Sequence, residues 1–310
     1  MAERPVAAVL GLGTIGASLA LALRGTGRYG AIVAWDPDFD TARAAQKANV
    51  ADRYARSAPE AVDRAAAVFV AVGGTHLRDV LTAAGPHLAA GAVVCSLDQA
   101  HEPAARLAAE TLPGNVSFVA ATPVLWEDVG PQTAPSAALF AQGVLSLTPA
   151  ETAHPEAVAY VADLAAALGM EAYFAGAREH DAFYTGIGRL PGALSAALLR
   201  VATRQPAWRE LSRLAGGRFR QATEPAAVDP ERQQEALAAG REHLVRWLDA
   251  LVEELSALKE ALNDGREPAD YFASAAEARQ QWLRERRTPA SVAETPGAPT
   301  EPAPKRRFWR

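Results

Sequence analysis

Residues 6–23 of the chain read VAAVLGLGTIGASLALAL and contain no charged side chain. Three glycines of this stretch have the spacing G-x-G-x-x-G, directly after a predicted strand and at the start of a predicted helix: Gly11, Gly13 and Gly16. In dinucleotide-binding folds, such glycines form a tight turn, let the backbone approach a pyrophosphate and seat the helix against the strand. The stretch therefore predicts a phosphate-binding turn, which also includes Thr14 and Ile15.

The same run is nearly long enough to cross a bilayer, since a membrane-spanning helix needs about 20 apolar residues. Three glycines interrupt it, Thr14 and Ser18 lie between them, and neither a cleavage site nor a basic segment accompanies the run. These features argue against a membrane span and against a secretion signal. We therefore expect a cytoplasmic protein that has no membrane partner.

Composition sets further bounds on function. The chain has 310 residues, 49% hydrophobic and 22% charged, which is enough for two domains with an ordinary core. A net charge of −5 offers no basic surface to nucleic acid. The single cysteine, Cys95, excludes an intrachain disulfide and suits a reducing compartment. The six histidines lack the HxxxH and HExxH spacings, so we predict no metal site and expect a small-molecule ligand.

Residues 5–150 alternate short β-branched runs with alanine-rich helical segments. This alternation is typical of a parallel sheet with helices on both faces. We predict an α/β fold, with a Rossmann-type doubly wound parallel sheet in residues 1–150 and an all-α domain in residues 151–287. The EAYFA run at residues 171–175 belongs to the first domain if it returns there as a strand.

The helical region contains a leucine repeat with alternating spacings of four and three, formed by Leu244, Leu248, Leu251, Leu255, Leu258 and Leu262. Such a seam requires a partner helix. The partner is either a helix of the same domain or a second subunit, and we expect a homodimer. Residues 288–310 are rich in proline, alanine and threonine without an apolar period, so we expect a disordered tail.

Asp36 ends the second predicted strand, twenty residues after Gly16, where a carboxylate accepts the ribose hydroxyls of NAD. A carboxylate repels a 2′-phosphate, so NAD is the expected cofactor and NADP the alternative. The other interpretation makes Asp36 a turn residue of the DPD sequence. Val72 and Gly73, after the next strand, and Asp98, further along, are expected to border the nicotinamide.

The order of these segments resembles the prephenate/arogenate dehydrogenase family of tyrosine biosynthesis. The similar segments include GLGTIGASLALAL, VVCSLDQAH, FVAATP, ALGMEAYFAGAREHD, GRLPGALSAAL and LAGGRFRQATEP. The resemblance implies a Rossmann domain, a helical dimer-forming domain and oxidative decarboxylation of a cyclohexadienyl substrate with NAD(P)+. It also implies a histidine that bonds the substrate hydroxyl and basic residues that hold the substrate carboxylates.

The chain departs from the family pattern at the residues that carry this chemistry. The G-G-H-P stretch with the catalytic histidine reads AATP at residues 120–123, so Thr122 stands at that position. The D-x-G-S-x-K stretch reads SLDQAH at residues 96–101, so Gln99 replaces a serine and His101 a lysine. A threonine hydroxyl is far too weak a base near neutral pH, and general-base help is typically worth about 10²–10⁴-fold.

Two further departures affect substrate binding. The S-H-L-P-H motif reads GRLPG at residues 188–192, where Arg189 replaces a histidine. The T-R pair reads Thr223-Glu224, so a cation that faces the substrate carboxylate becomes an anion. Arg189 is either a replacement anion-binding residue or part of a surface salt bridge, while Glu224 would repel a dianionic substrate.

Several polar residues have two interpretations at this stage. His180 and Asp181 match the family, and they serve either function or helix capping and packing. His76, Asp98 or His101 is either a relocated base or a solvated loop or cap residue. Two hypotheses follow for the whole chain: an NAD(P)-dependent dehydrogenase with altered or reduced activity, or a non-catalytic dinucleotide-binding regulator or scaffold that dimerises.

Overall fold

A computed structural model describes residues 4–126, 129, 133–227, 234, 237–238 and 240–287. Within these residues one sheet has the strand order β3-β2-β1-β4-β5-β6-β7-β8. Its strands are β1 (Val6–Leu10), β2 (Ala31–Trp35), β3 (Arg53–Tyr54), β4 (Ala65–Val70), β5 (Val93–Ser96), β6 (Ser117–Val124), β7 (Val144–Pro149) and β8 (Glu171–Phe174). The neighbouring strands run parallel except for β6 and β7. The predicted Rossmann-type sheet is confirmed.

Helices cover both faces of the sheet, which buries its central strands on both sides. They are α1 (Thr14–Gly25), α2 (Phe39–Lys47), α3 (Ala58–Val62), α4 (Thr75–Ala84), α5 (His101–Thr111) and α6 (Pro155–Ala167). On one face Val9 and Phe69 pack with Leu23 and Leu164, from α1 and α6. The opposite face packs against α3, α4 and α5 through a separate apolar cluster that includes Leu10, Val68, Val62, Leu81 and Leu107.

Strand β7 is the departure from an all-parallel sheet. It pairs antiparallel with β6, so that Thr122 lies opposite Ser146. The EAYF run then pairs with β7 in parallel as β8 and extends the same sheet. Sequence analysis pointed to β8 but missed β7, because β7 follows β6 with no α-helix between them in the described residues and so falls outside the strand–helix alternation.

A helical segment follows the sheet. It contains α7 (Ala177–Tyr184), a π-helical turn (Thr185–Arg189), α8 (Leu190–Thr203), α9 (Trp208–Leu214) and α10 (Gly217–Thr223). The π-helical turn joins α7 to α8 without a break, and it buries Thr185 and Arg189. Helix termini and π-turns such as this one often carry functional side chains.

The contact pattern divides the chain into one unit up to His243 and a second unit from Leu244 onward. Helix α11 (Arg241–Asn263) begins at this division, and α12 (Ala269–Arg287) follows it. Along α11, Leu244 is buried, whereas Leu255 and Leu262 are exposed by 53% and 58%. The predicted disordered tail at 288–310 lies outside the described residues. No helix in the described ranges combines the length and the apolar character that a membrane span requires.

Candidate dinucleotide and substrate site

The glycine turn packs too closely on its surroundings to hold side chains. Gly11 has φ of +99°, and a Cβ atom there would lie 2.7 Å from the carbonyl carbon of Ala71. A Cβ atom on Gly16 would collide with the carbonyl oxygen of Gly11. The Gly11 amide donates to the Trp35 carbonyl at 2.8 Å, which links the turn to the end of β2. These two glycines therefore make the turn and bring α1 against it.

Gly13 has a different role, because a Cβ atom there would have no neighbour within 4 Å. It immediately precedes the first residue of α1, and no side chain caps this helix. The positive end of the helix dipole therefore lies beside a glycine that has free space next to it among the described residues. An open helix N-terminus of this kind suits a pyrophosphate.

Asp36 lies at the end of β2, beside the same turn. Its Oδ2 accepts from the Leu12 amide at 2.5 Å, and its Oδ1 accepts from the Asp38 amide at 2.8 Å. Partial burial raises the pKa of the Asp36 carboxyl, with bonds from Leu12 and Asp38 and the nearby His76 acting in the opposite direction. The carboxylate is held at the edge of the glycine turn, and its bond to Asp38 is also that of a turn residue.

The loops after β4 and β5 meet at this carboxyl edge of the sheet. A Cβ atom on Gly73 would lie 3.2 Å from Oδ2 of Asp98, and that oxygen accepts from the Gly74 amide at 3.3 Å. Burial raises the pKa of the Asp98 carboxyl. Val72 is half-buried and Gly73 is exposed. The edge thus presents backbone, a carboxylate and little side-chain bulk next to the glycine turn.

A cluster of buried polar side chains lies beyond this edge, between α5, the ends of β6 and β7, and α7 with its π-helical turn. Its members are His101, Thr122, Ser146, Thr148, His180, Asp181, Thr185 and Arg189, each less than a tenth exposed. Buried polar groups are costly unless they are hydrogen-bonded. The cluster is therefore held by specific contacts.

His101 is the first residue of α5 and has no exposed surface. Its Nδ1 lies 2.7 Å from Oγ1 of Thr148, and its Nε2 lies 2.9 Å from Oγ1 of Thr122. Burial lowers the pKa of His101 to about 3, and positive charge on His180 and Arg189 acts in the same direction. The ring is therefore neutral near pH 7, and its interpretation as a solvated loop residue is wrong.

His180 stacks on His101, with ring centroids 3.5 Å apart and an interplanar angle of 5°. Its Nδ1 lies 2.7 Å from Oγ of Ser146, whereas its Nε2 is buried and makes no hydrogen bond within the described part of the chain. Burial lowers the pKa of His180 to about 4, and the neighbouring Gln99 backbone acts against that shift. The two rings form a neutral stacked pair.

Arg189 is 94% buried, so its interpretation as a surface salt-bridge residue is wrong. Its Nη2 donates to the Gln99 carbonyl at 2.9 Å, and its Nη1 donates to Oγ1 of Thr185 at 3.2 Å. The Nε atom is buried without a hydrogen bond in the described residues. Gly240 packs directly on this side chain, since a Cβ atom there would lie 2.5 Å from Nη1.

Comparison with known proteins assigns the chain to a family. Residues 19–173 match the model described as prephenate dehydrogenase, nucleotide-binding domain, and residues 176–276 match prephenate dehydrogenase, dimerization domain. The chain belongs to the prephenate dehydrogenase family. The first match begins after the glycine turn, so the turn itself rests on its sequence and geometry. The first match ends within β8, and the second match begins just before α7.

Individual relatives agree with the family match. Cyclohexadienyl dehydrogenase of Zymomonas mobilis is 24% identical over 276 residues, which cover 88% of this chain and 94% of that protein. The fold matches prephenate dehydrogenase from A. aeolicus in complex with hydroxyphenyl propionate and NAD+, with a TM-score of 0.80, 19% identity and coverage of 91% and 99%. Arogenate dehydrogenase of Synechocystis gives 0.73, 23% identity and coverage of 89% and 99%.

Within this member of the prephenate dehydrogenase family, the predicted site residues separate into two groups. Thr122, His101 and Arg189 lie in the buried cluster, and Gln99 contributes its backbone carbonyl although the residue is exposed. Glu224 is exposed at the start of a 3₁₀ turn, outside that cluster. The structure leaves their functional roles as predictions.

Sequence reasoning missed Ser146, Thr148 and Thr185 as members of the cluster. A signal for two of them is present in VLSLTP, where Ser146 and Thr148 are two residues apart and therefore share one face of β7. Thr185 lies in the π-helical turn, which no periodicity predicted. Hydroxyl residues two positions apart on a buried strand indicate a polar network on one face of the sheet.

Proposed function

We propose that the chain is an NAD-dependent dehydrogenase of the prephenate/arogenate type, with altered or reduced activity. The observation that carries this proposal is the contact of 2.9 Å between Oγ1 of Thr122 and Nε2 of His101. Thr122 stands where the family resemblance expects the catalytic histidine, and the contact brings an imidazole to that position from α5. The site retains a nitrogen base, although in a neutral, buried form.

The glycine turn, the α1 N-terminus and Asp36 fit a dinucleotide. Gly13 leaves room for the pyrophosphate, Thr14 and Ile15 follow it in the first turn of α1, and Asp36 offers carboxylate oxygens for a ribose. Val72 and Gly73 line the edge beside them. The bound dinucleotide supplies the hydride acceptor. Side chains of this chain must bind and orient the substrate and accept its proton.

Preference for NAD over NADP follows from charge. Asp36, Asp38 and Asp40 lie together after β2 and at the start of α2. A 2′-phosphate would approach these three carboxyl groups, and no arginine directly follows Asp36 to neutralise it. We therefore propose NAD as the cofactor and expect much weaker binding of NADP.

Reduced turnover follows from the groups that would meet the substrate. The neutral His101 is a weak base because its pKa is lowered to about 3, far from the value that favours proton transfer near pH 7. Arg189 is the cation of the buried cluster, and its unpaired Nε supports a role in binding a substrate carboxylate. Glu224 lies outside that cluster and offers no cation.

A second candidate is a non-catalytic dinucleotide-binding regulator or scaffold. It is favoured by the burial of Thr122 and His101, which are 1% and 0% exposed and already hydrogen-bonded within the chain. We propose a homodimer in either case, supported by the match of residues 176–276 to a dimerization domain. In this second candidate the bound nucleotide serves as a signal or a structural ligand.

The deciding experiment titrates the purified protein with NAD and with NADP, and then follows reduced-cofactor absorbance with prephenate and with arogenate. Asp36→Ser is the control for cofactor choice, and it should weaken NAD binding and narrow the preference over NADP. Turnover of either substrate supports the dehydrogenase. Tight NAD binding with no turnover rejects that activity for both substrates and favours the regulator.

A further inference from the structure

Several departures from the family pattern meet at one carboxylate. In the SLDQAH stretch, which resembles D-x-G-S-x-K, Ser96 stands for the aspartate and Asp98 for the glycine, while Thr122 on β6 stands for the histidine. The Asp98 amide donates to Oγ of Ser96 at 3.4 Å, and Oγ1 of Thr122 donates to the Asp98 carbonyl at 2.6 Å. Where the resemblance expects no side chain, this chain therefore has an acidic one on a fixed backbone.

The side chain of Asp98 is also held in place. Its Oδ1 accepts from the Ala100 amide at 2.8 Å, and its Oδ2 accepts from the Gly74 amide at 3.3 Å. Burial and the charge of Asp181 raise the pKa of the Asp98 carboxyl, whereas the two amides and the charge of Arg189 favour its ionised form. Both oxygens thus face hydrogen-bond donors, which suits a carboxylate.

This carboxylate lies at an accessible part of the sheet edge. Asp98 is half-buried, and the residues beside its Oδ2, Gly73 and Gly74, are exposed and have no side chains. Within the described ranges, no arginine, lysine or histidine side chain forms an ion pair with Asp98. The described structure therefore leaves a negative charge at this edge without a cation in direct contact.

The place of Asp36 in the sheet indicates which half of a dinucleotide reaches Asp98. Asp36 follows β2, which lies on one side of β1, whereas β4 and β5 lie on the other side. A pyrophosphate at the turn after β1 joins the two halves, and the acidic residue after β2 binds the ribose of the adenosine half. The nicotinamide half is then expected at the ends of β4 and β5, where Gly73 and Asp98 lie.

We propose that Asp98 is a specificity-determining residue that makes the site prefer NAD+ to NADH, an inference that rests on the proposed dinucleotide site. The nicotinamide ring carries a positive charge in NAD+ and no charge in NADH. A carboxylate at this edge attracts the oxidised ring and has no charge to attract in the reduced ring. In a dehydrogenase this preference favours binding of the oxidant and release of NADH. In the regulator candidate it makes the protein respond to the oxidised form.

Calorimetric titrations with NAD+, NADH and ADP-ribose test this preference without any turnover. We expect Asp98→Asn to weaken NAD+ binding by about tenfold and to change the Kd of NADH and of ADP-ribose by less than about twofold, because only NAD+ carries the ring charge. Asp36→Ser is the matched control, since it acts on the adenosine ribose that the three ligands share and should weaken all of them alike. An unchanged ratio of the NAD+ and NADH Kd values in Asp98→Asn would overturn the proposal. Equal weakening of all three ligands would also overturn it, because that result indicates a structural role.

A second variant keeps the test independent of one substitution. Asp98→Ser also removes the charge and should change the ratio of the two Kd values in the same direction, so it replaces Asp98→Asn if that variant does not fold. If the wild-type protein binds none of the three ligands, the proposed dinucleotide site fails and this inference fails with it. If it binds NAD+ but oxidises neither prephenate nor arogenate, the proposed dehydrogenase activity fails for both substrates, and the ratio of Kd values still decides the role of Asp98.

Discussion

Two glycines of one motif serve different purposes at the residue scale. Gly16 has no room for a Cβ atom because the Gly11 carbonyl oxygen occupies that place, whereas Gly13 has open space on that side. Gly13 also has φ of −58°, which any residue adopts. Packing of the turn therefore requires glycine at position 16, whereas nothing in the described structure requires it at position 13, which fits the proposed dinucleotide.

This difference predicts opposite results for two alanine substitutions. Gly13→Ala should weaken NAD binding by about tenfold or more while it changes the free energy of unfolding by less than about 1 kcal/mol. Gly16→Ala should cost more than about 3 kcal/mol of stability, because backbone must move. Calorimetric titration and urea unfolding measure the two effects. Unchanged NAD affinity in Gly13→Ala would show that the pyrophosphate does not bind at this turn.

The stacked histidines predict a pH dependence of stability. Their pKa values are lowered to about 3 for His101 and about 4 for His180, below the ordinary 6.5, so the unfolded chain binds more protons between these values and pH 6.5. The free energy of unfolding should therefore fall as the pH is lowered from 7 toward 4, by at most about 1.4 kcal/mol per pH unit for each ring. The raised pKa values of Asp98 and Asp181 act in the opposite direction where those carboxyls titrate.

Urea unfolding at a series of pH values measures this slope. His180→Gln should reduce it, because one of the two buried rings no longer titrates. His87→Gln, at an exposed position, is the matched control and should keep the wild-type slope. Equal slopes in wild type and His180→Gln would mean that the stacked pair does not govern acid stability.

At the scale of elements, α5 is capped by a residue of another helix. Asp181 of α7 accepts from the amides of His101 and Glu102 at 2.7 Å and 3.0 Å, across about 80 residues of chain. No side chain of the preceding residue, Ala100, caps this helix. Asp181 therefore caps a helix, as one of its two interpretations expected, although the helix is α5 and not its own; its role in function stays a prediction.

Removal of this cap should destabilise the protein. Asp181→Ala leaves two amides at the start of α5 without an acceptor, and we expect a loss of about 1–2 kcal/mol in the free energy of unfolding. Asp181→Asn should lose less, because one acceptor oxygen remains. Glu179→Ala, exposed on the same helix, is the control, and a loss in Asp181→Ala no larger than in this control would exclude the cap.

At the scale of the whole molecule, α11 leaves part of its leucine seam and several neighbouring apolar side chains exposed. Leu251 is half-buried and Leu255 is 53% exposed, and Val245, Trp247 and Val252 are also exposed on this helix. Exposed apolar surface of this extent is typical of an interface between subunits. The matched dimerization domain supports a second copy of this chain as the partner.

Charge on the seam should therefore separate the proposed dimer. Leu251→Lys with Leu255→Lys is expected to shift the sedimentation coefficient from dimer to monomer, because two lysines cannot be buried unpaired. Ala250→Lys with Ala257→Lys adds the same charge on the opposite face of α11 and should leave the dimer intact. A dimer that persists in the leucine variant would locate the interface elsewhere.

The sequence predicted most of the nucleotide-binding fold, because its signals are local. The glycine spacing, the strand that ends at Asp36 and the alternating runs predicted five parallel strands and most of the helices that cover them. Strand β3 has two residues, which is too short to show a periodicity. Strand β7 is long enough, but it runs antiparallel and lies outside the strand–helix alternation. In the candidate site, Thr122 and His101 were found as residues, while their contact was not.

What the sequence by itself predicted is a departure from the family pattern: Thr122 where the resemblance expects a histidine, and Glu224 where it expects an arginine. Only the tertiary structure decided which side chains surround Thr122. Asp181, 80 residues away, holds the start of α5 so that the ring of His101 meets Thr122 from one side and Thr148 from the other. Local patterns predict which residues a strand or helix contains. They do not predict contacts between distant segments, because those form only in the folded chain, where buried polar groups must be hydrogen-bonded.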